Sequence, residues 1–111
     1  MLKDATRRVF ESRGLDLLLS PTLPTPTVPM DALGVPDAYG DDPLTTAINL
    51  TFPANVTGLP ALTIPCGFSP DGLPIGVHLM GRPFDETTLF RAALAYERNH
   101  DWIDRSPPDL T

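Results

Sequence analysis

Proline constrains the fold of this chain more than any other residue, since it occupies 14 of the 111 positions. Many of the prolines lie between Pro21 and Pro43, where no helical or strand period is visible. Each proline biases the preceding residue away from helix, so PTLPTPTVP must be extended or turning. A structureless segment of this length is unusual in a compact small domain. It implies either a function or further protein against which the segment packs.

The first residues predict a helix followed by a strand. Apolar residues at helical spacing indicate a helix over 2–13, and Gly14 is a suitable residue to end it. In GLDLLLSPT the continuous run Leu17–Leu19 is typical of a strand that is buried on both faces.

A short helix is expected after the proline-rich segment. Residues 44–51 could form one or two turns, with Asp42 or Asp41 as the N-cap before Pro43 at the first helical position.

The next segment predicts a β-hairpin. Asn55 and Gly58 are expected to shape a turn, and residues 60–68 are expected to form a strand. The tetrapeptide SPDG suits a tight turn, because proline presets one backbone angle and glycine tolerates a positive one. Residues 73–80 then form the second strand of an antiparallel pair.

A final helix is predicted within FDETTLFRAALAYERNH, with Asp85 as its N-cap. Its apolar face comprises two adjacent rows, Leu89, Ala93 and Tyr96 in one and Phe90 and Leu94 in the other. The tail from residue 101 onward is expected to be irregular. About three helices and three strands result, which indicates an α/β fold. Each strand is apolar enough to need protein packed on both faces, and one small unit does not provide it.

Bulk properties narrow the range of functions. The net charge of −6 gives no general attraction to nucleic acid or to anionic membranes. One cysteine excludes an internal disulfide and a cysteine-rich metal site, which suits a reducing cytoplasm. No apolar run approaches the length of about 20 residues that spans a bilayer. No metal or cofactor pattern is visible either, so neither is expected.

Few residues are candidates for catalysis. Ser20, at the end of a strand, is the best placed serine, but no serine occupies a Gly-x-Ser-x-Gly motif. His78 is expected to be a hydrogen-bonded core residue, and His100 to lie at a helix end. Cys66 has only neutral neighbours and is expected to be a buried structural thiol. The only lysine, Lys3, lies near the start of the chain.

Several motifs occur together in the order found in one enzyme family. They are DLLLSPT, N-x-T-G-L-P-A, P-C-G, G-L-P-I-G and G-x-P-F-D-E-x-x-L. With them the chain closely resembles, over nearly its whole length, the C-terminal segment of the amidase-signature family. The resemblance implies an α/β fold in which a mixed sheet is flanked by helices. It also implies that residues 1–111 form a single unit, a C-terminal fragment of a larger amidase domain.

The resemblance also bears on the chemistry. Family members hydrolyse amide bonds, or transfer ammonia from glutamine, with a serine, a serine on a cis peptide and a lysine. Those residues precede the matched region, so none is assigned here and the chain alone is expected to be inactive. Glutamine-using tRNA amidotransferase subunits carry an acid seven residues before the motif asparagine. This position is Ile48 here, and Asn49 is the nearest polar residue. These two are therefore the expected substrate-binding residues, and a second departure is His78, where glutamine is usual.

Three hypotheses remain open. The first is the C-terminal part of a cytoplasmic hydrolase of carboxylic amides, whose partner is a small amide substrate. The second is a fragment of the A subunit of a glutamine-dependent tRNA amidotransferase, which Ile48 disfavours. The third is a non-catalytic association module that pairs with itself or with the missing N-terminal part. No direct contact with nucleic acid or membrane is expected in any of them.

Overall fold

The computed structural model describes residues 1–32, 35–36, 42–101 and 104–107. In these residues the chain forms four α-helices, three strands and one turn of 3-10 helix. In chain order these are α1 (Leu2–Arg13), β1 (Leu17–Pro21), the 3-10 turn (Met30–Ala32), α2 (Pro43–Ile48), α3 (Phe52–Thr57), β2 (Ala61–Phe68), β3 (Pro74–Gly81) and α4 (Glu86–Glu97). The expected α/β class is confirmed.

The three strands form one antiparallel sheet in the order β1-β3-β2. The predicted hairpin of β2 and β3 is confirmed. It turns at residues 69–72, where the amide of Gly72 donates to the Ser69 carbonyl at 2.9 Å. Gly72 has a φ of 79°, a conformation that glycine adopts without steric cost. The strand that comes last in the chain is therefore the central one, and β1 pairs along its other edge.

The core lies between the sheet and α4. Ile64, Leu79, Leu89 and Ala93 are buried together there. Of the two predicted apolar rows of α4, only the row of Leu89 and Ala93 is buried. Phe90, in the other row, is 63% exposed, because the described part of the chain places nothing over it.

A second contact joins α1 to α3 and to the end of β3. Phe10 of α1 is 1% exposed, and α1 packs against α3. Arg82 fixes the segment after α1 to the sheet. Its Nε donates to the Leu15 carbonyl at 2.7 Å, and a guanidinium nitrogen lies 3.1 Å from an Asp16 carboxylate oxygen.

The predicted turn at Asn55 is wrong, because Asn55 lies within the helix α3. The helix carries a proline in its first turn and ends at Gly58, whose φ is 64°. Thr57 is buried, and its hydroxyl donates to the Pro53 carbonyl at 2.6 Å. Gly58 was correctly placed at a change of direction, but the change is a helix end.

The helix predicted over 44–51 is α2, which is shorter. The carbonyl of Asp42 accepts from the Thr46 amide at 2.9 Å, and its carboxylate accepts from the Thr45 hydroxyl at 3.3 Å. Asp41, the alternative cap, lies outside the described residues, as does most of the tail from residue 102.

The expectation that β1 is buried on both faces is wrong for the chain as it stands. Leu19 is 67% exposed, since β1 is an edge strand and α4 does not reach over it. Among the described residues, no helix combines the length and the apolar character needed to cross a membrane.

Candidate functional site

The sheet face opposite α4 carries a row of polar side chains. Residues two apart on a strand share a face, so His78 of β3 lies on the face opposite to buried Leu79. His78 pairs with Ser20 on β1 and with Thr63 on β2. Opposed side chains in an antiparallel pair have Cβ atoms about 4.5–5.5 Å apart. Ser20, His78 and Thr63 therefore form one row across the sheet.

The start of the proline-rich segment closes onto the same face. The Thr22 amide donates to the Gly76 carbonyl at 3.0 Å, and the Thr22 hydroxyl donates to that of Thr63 at 3.4 Å. A Cβ atom at Gly76 would lie 2.9 Å from both the Thr22 Oγ1 and the Thr63 Cγ2. Glycine is therefore needed for this close approach.

A cleft of about 370 Å³ results beside Gly76. Three threonines, a leucine and a proline of the loop line one side of it, and Thr63, Pro65 and Ile75 are among the residues of β2 and β3 that line the other. No charged side chain lines this cleft, so the groups it can bind are apolar or form uncharged hydrogen bonds.

A second pocket, the His78 pocket, lies at the other end of the row. It has a volume of about 280 Å³. Its polar lining residues are Ser20 of β1, His78 of β3 and Asn49 of the linker between α2 and α3. The remaining lining residues are leucines, a proline and a methionine.

His78 is buried as predicted, with only 7% of its surface exposed. No hydrogen-bond partner of its ring lies among the described residues, so the predicted hydrogen bond stays a prediction. Burial lowers the pKa of His78 below its usual value of 6.5, since the charged form loses solvation. The ring is therefore neutral at neutral pH, with one nitrogen as donor and the other as acceptor.

The two expected substrate-binding residues lie at the end of α2 and just beyond it. Asn49 lines the His78 pocket, and its amide donates to the Thr46 carbonyl at 3.2 Å. Ile48 is exposed and lies outside the lining of this pocket. The structure thus brings Asn49, but not Ile48, together with Ser20 and His78.

The other catalytic candidates lie apart from this pocket. His100 is exposed at the end of α4, where its ring stacks on Tyr96 with the ring centres 3.9 Å apart. Cys66 is half-buried rather than buried, at an irregular point of β2 between Pro65 and Gly67. Lys3 is exposed in α1. The described residues contain no cluster of histidine, cysteine and acid that could hold a metal ion.

The sequence did not reveal that Ser20 and His78 are neighbours. Only the β2–β3 hairpin was predicted, because a short turn connects those strands. The pairing of β1 with β3 joins segments that lie about sixty residues apart, and no turn marks it. A usable signal was the matched length of LLLSP and VHLMG, each apolar except for one polar residue, which is Ser20 in the first and His78 in the second.

Comparison with known proteins decides the family. The family model described as Amidase matches residues 1–90. The chain belongs to the amidase-signature family. The A subunit of the Myxococcus xanthus glutamyl-tRNA(Gln) amidotransferase is 42% identical over 110 residues, which are 97% of this chain and 21% of that protein. The same protein of Methanosarcina mazei is 43% identical over 98 residues, 86% of this chain and 19% of that protein. The amidase-signature chain thus spans about a fifth of the length of these relatives.

Solved structures of amidase-signature enzymes share its fold. The 6-aminohexanoate cyclic dimer hydrolase, complexed with substrate, matches with a TM-score of 0.83 and 31% identity, over 98% of this chain and 24% of that one. The A subunit of the Thermotoga maritima glutamyl-tRNA(Gln) amidotransferase matches with a TM-score of 0.72 and 35% identity, over 90% of this chain and 20% of that one. The predicted resemblance to the amidase-signature family and the predicted α/β fold are confirmed.

Proposed function

We propose that this chain is the C-terminal part of an amidase-signature hydrolase that acts on carboxylic amide bonds. In this proposal residues 1–111 are a single unit, a fragment of a larger amidase domain. The chain supplies part of the scaffold and one wall of the substrate pocket. A preceding part of the protein supplies the serine, the serine on a cis peptide and the lysine that the resemblance implies.

The observation that carries the proposal is the likeness to the 6-aminohexanoate cyclic dimer hydrolase. It extends over 98% of this chain with a TM-score of 0.83. A likeness of this extent supports a shared role in the parent enzyme, because nearly every described element has its counterpart there. The exposure of Leu19 and Phe90 agrees with strands and helices that more protein would cover.

The proposed chemistry needs neither a metal nor a cofactor, and we place the enzyme in the cytoplasm. The substrate is a small amide, and the chain contacts neither nucleic acid nor membrane. The isolated chain is expected to be inactive. Hydrolysis of a simple amide by the purified chain, lost on Ser20→Ala, would contradict this.

We assign substrate contact to Ile48 and Asn49. Ile48 is exposed at the end of α2, where it offers an apolar contact and no charge. Asn49 lines the His78 pocket and offers an uncharged amide. A pocket wall of this kind favours a less polar amide over glutamine, whose ammonium group needs an acid as partner.

The second candidate function is that of the A subunit of a glutamine-dependent amidotransferase. It is favoured by the identity of 42% to the Myxococcus xanthus protein. In that case the chain would also belong to an assembly of several subunits. Ile48 disfavours it, because an apolar side chain offers no carboxylate to the ammonium group of glutamine. An association module that pairs with itself or with the preceding part is compatible with either function.

Replacement of a matched segment tests the proposal. The segment of the 6-aminohexanoate cyclic dimer hydrolase that matches this chain is exchanged for residues 1–111, and hydrolysis of the cyclic dimer and of simple aryl and aliphatic amides is measured. We expect hydrolysis of at least one of these amides. The control is the hydrolase made by the same segment exchange with its own segment put back. A folded chimera without activity on any amide, beside an active control, would overturn the proposal.

The same exchange in the Thermotoga maritima amidotransferase separates the two functions. We expect little glutaminase activity from that chimera, and a gain when Ile48→Asp restores a carboxylate. Ile48→Asn serves as the matched uncharged variant. Full glutaminase activity with Ile48 unchanged would favour the amidotransferase function instead.

A further inference from the structure

The outer face of α4 carries four exposed residues in a row, an acid, two apolar residues and a base. The row comprises Glu86, Phe90, Leu94 and Arg98. Each lies four residues after the previous one, so the four are neighbours along one ridge of the helix. Arg98 still belongs to this ridge, because its amide donates to the Leu94 carbonyl at 3.1 Å. The four-residue row is thus an apolar centre, 63% exposed at Phe90 and 47% at Leu94, with opposite charges at its ends.

The four-residue row is complementary to itself when it is read in the opposite direction. A second copy whose row lies antiparallel places its Leu94 beside Phe90. The same arrangement places its Arg98 beside Glu86, and a two-fold axis repeats both contacts. Rows at a spacing of four residues lie side by side in the commonest class of helix packing, in which the helices cross at about −50°. A parallel arrangement would instead bring Glu86 against Glu86 and Arg98 against Arg98.

The charges of α4 permit contact with a second copy. Residues 86–98 contain two acids and two arginines, so this segment is neutral in a chain whose net charge is −6. The described residues hold neither Glu86 nor Arg98 in an ion pair, so both charges can pair with a second copy. An exposed ion pair contributes little affinity. We therefore expect the end charges to set the direction of pairing and the apolar centre to stabilise it.

A hollow beside the row offers room for a side chain of the second copy. It has a volume of about 150 Å³ and lies between α4 and the start of β2. Leu62, Leu89 and Phe90 are among the residues that line it. In the antiparallel arrangement Leu94 of the second copy lies next to this hollow, because it faces Phe90.

We propose that the four-residue row of α4 is a two-fold interface through which two copies of this chain pair antiparallel. Glu86 of each copy contacts Arg98 of the other. Phe90 of each copy contacts Leu94 of the other. The inference does not rest on the proposed amidase function, because it concerns association alone.

Charge reversal at the two ends of the row tests the proposal by sedimentation of the 111-residue chain at one ionic strength. Glu86→Arg gives the row a base at both ends, and Arg98→Glu gives it an acid at both ends. Each variant should dimerise at least about fivefold more weakly than the unchanged chain. Glu86→Arg is the sharper test, since it makes the chain less acidic and would strengthen the dimer if net charge alone mattered.

An equal mixture of Glu86→Arg and Arg98→Glu is the matched control. Each variant then meets opposite charges on the other, so the mixture should dimerise about as tightly as the unchanged chain. A loss caused by altered folding of either variant would persist in the mixture, whereas a loss caused by the charges at the interface would not.

Cross-linking measures the direction of pairing independently. Cys66→Ser first removes the native thiol. In that background Glu86→Cys and Arg98→Cys chains, distinguished by isotope labels, are mixed and treated with a short bismaleimide. We expect the product to contain one chain of each kind, several-fold in excess over either product of two like chains. Mass spectrometry of the cross-linked dimers measures these proportions.

Three results would overturn the inference. The first is a chain that sediments as a monomer at every concentration. The second is dimerisation that the charge reversals leave unchanged, as expected if the exposed row is a general apolar surface that the preceding part of the amidase domain covers. The third is a cross-linked product in random proportions or with like chains in excess. Because no turnover is measured, each result leaves the proposed amidase function standing, and an inactive chimera leaves the dimer standing.

Discussion

The buried ring of His78 couples the protonation of one side chain to the stability of the sheet. Burial lowers the pKa of His78 in the folded chain below the usual 6.5. The unfolded chain therefore binds a proton more readily than the folded chain. Stability that depends on the neutral ring is fully present above pH 6.5 and is lost as the pH falls through the lower, folded pKa.

We expect the free energy of unfolding to fall more steeply with acid in the unchanged chain than in His78→Gln. Glutamine has no proton to bind, so the difference between the two curves isolates His78 from the carboxylates that also titrate. Urea unfolding measured between neutral and mildly acidic pH provides the comparison. Parallel curves for the two proteins would show that the histidine does not contribute.

Glycine is required at position 76 because a side chain has no room there, not because of the backbone conformation. An added Cβ would lie 2.9 Å from Thr22 Oγ1 and from Thr63 Cγ2. We expect Gly76→Ala to lower the free energy of unfolding by about 1–3 kcal/mol and to displace the loop at Thr22. Urea unfolding measures the loss. Gly67→Ala is the matched control on the neighbouring strand, since nothing lies within 4 Å of its Cβ position. An equal effect at both glycines would contradict the steric argument.

Among the helices, α4 packs against the sheet and contributes Leu89 and Ala93 to the buried core. Leu89 is 2% exposed and contacts the buried cluster of Ile64 and Leu79. We expect Leu89→Ala to lower the free energy of unfolding by about 2–5 kcal/mol, because the loss of a buried leucine leaves a cavity. The matched control is Leu94→Ala on the exposed face of the same helix. Its expected effect, in the same urea unfolding, lies within about 0.5 kcal/mol.

The helices and strands differ in how far local sequence determines them. The ends of α1 and α4 and the β2–β3 hairpin follow from apolar spacing and from the residues that cap or turn the chain. The helix α3 was missed because Pro53 and Thr57 each disfavour a helix interior. In the structure Pro53 lies in the first turn, where its missing amide costs little, and the Thr57 hydroxyl bonds within the helix.

The candidate site depends on contacts between distant segments, which local patterns do not contain. Ser20, Asn49 and His78 were each singled out in the sequence, but only the β1–β3 register brings the first and last together. The position of Asn49 depends in turn on how the linker between α2 and α3 lies beside β1 and β3. The residues were therefore predictable one by one, and their assembly into a pocket was not.

The chain taken together exposes more apolar surface than its small sheet can bury. Phe90 and Leu94 are exposed on α4, and Leu19 is exposed on the edge strand β1. Exposed apolar surface on adjacent residues, as at Phe90 and Leu94, marks a site of contact with other protein. The net charge of −6 opposes contact between two copies, and salt screens that repulsion. Association of the isolated chain should thus increase with both protein concentration and ionic strength.

Sedimentation of the isolated chain tests this expectation. We expect the apparent mass to rise with protein concentration and to rise further in high salt, because the apolar contact remains while the repulsion weakens. Phe90→Glu adds a charge within the exposed row of α4 and should return the chain to a monomer. Ala95→Glu adds the same charge at an exposed position of α4 outside the row and should leave the association nearly unchanged. A monomer at every protein concentration and ionic strength, or an equal effect of the two variants, would show that the exposed row of α4 is not a contact surface in the isolated chain. If the association is instead abolished by adding the preceding part of the amidase domain, that part covers the face, and the row of Phe90 and Leu94 belongs to the interior of the complete enzyme.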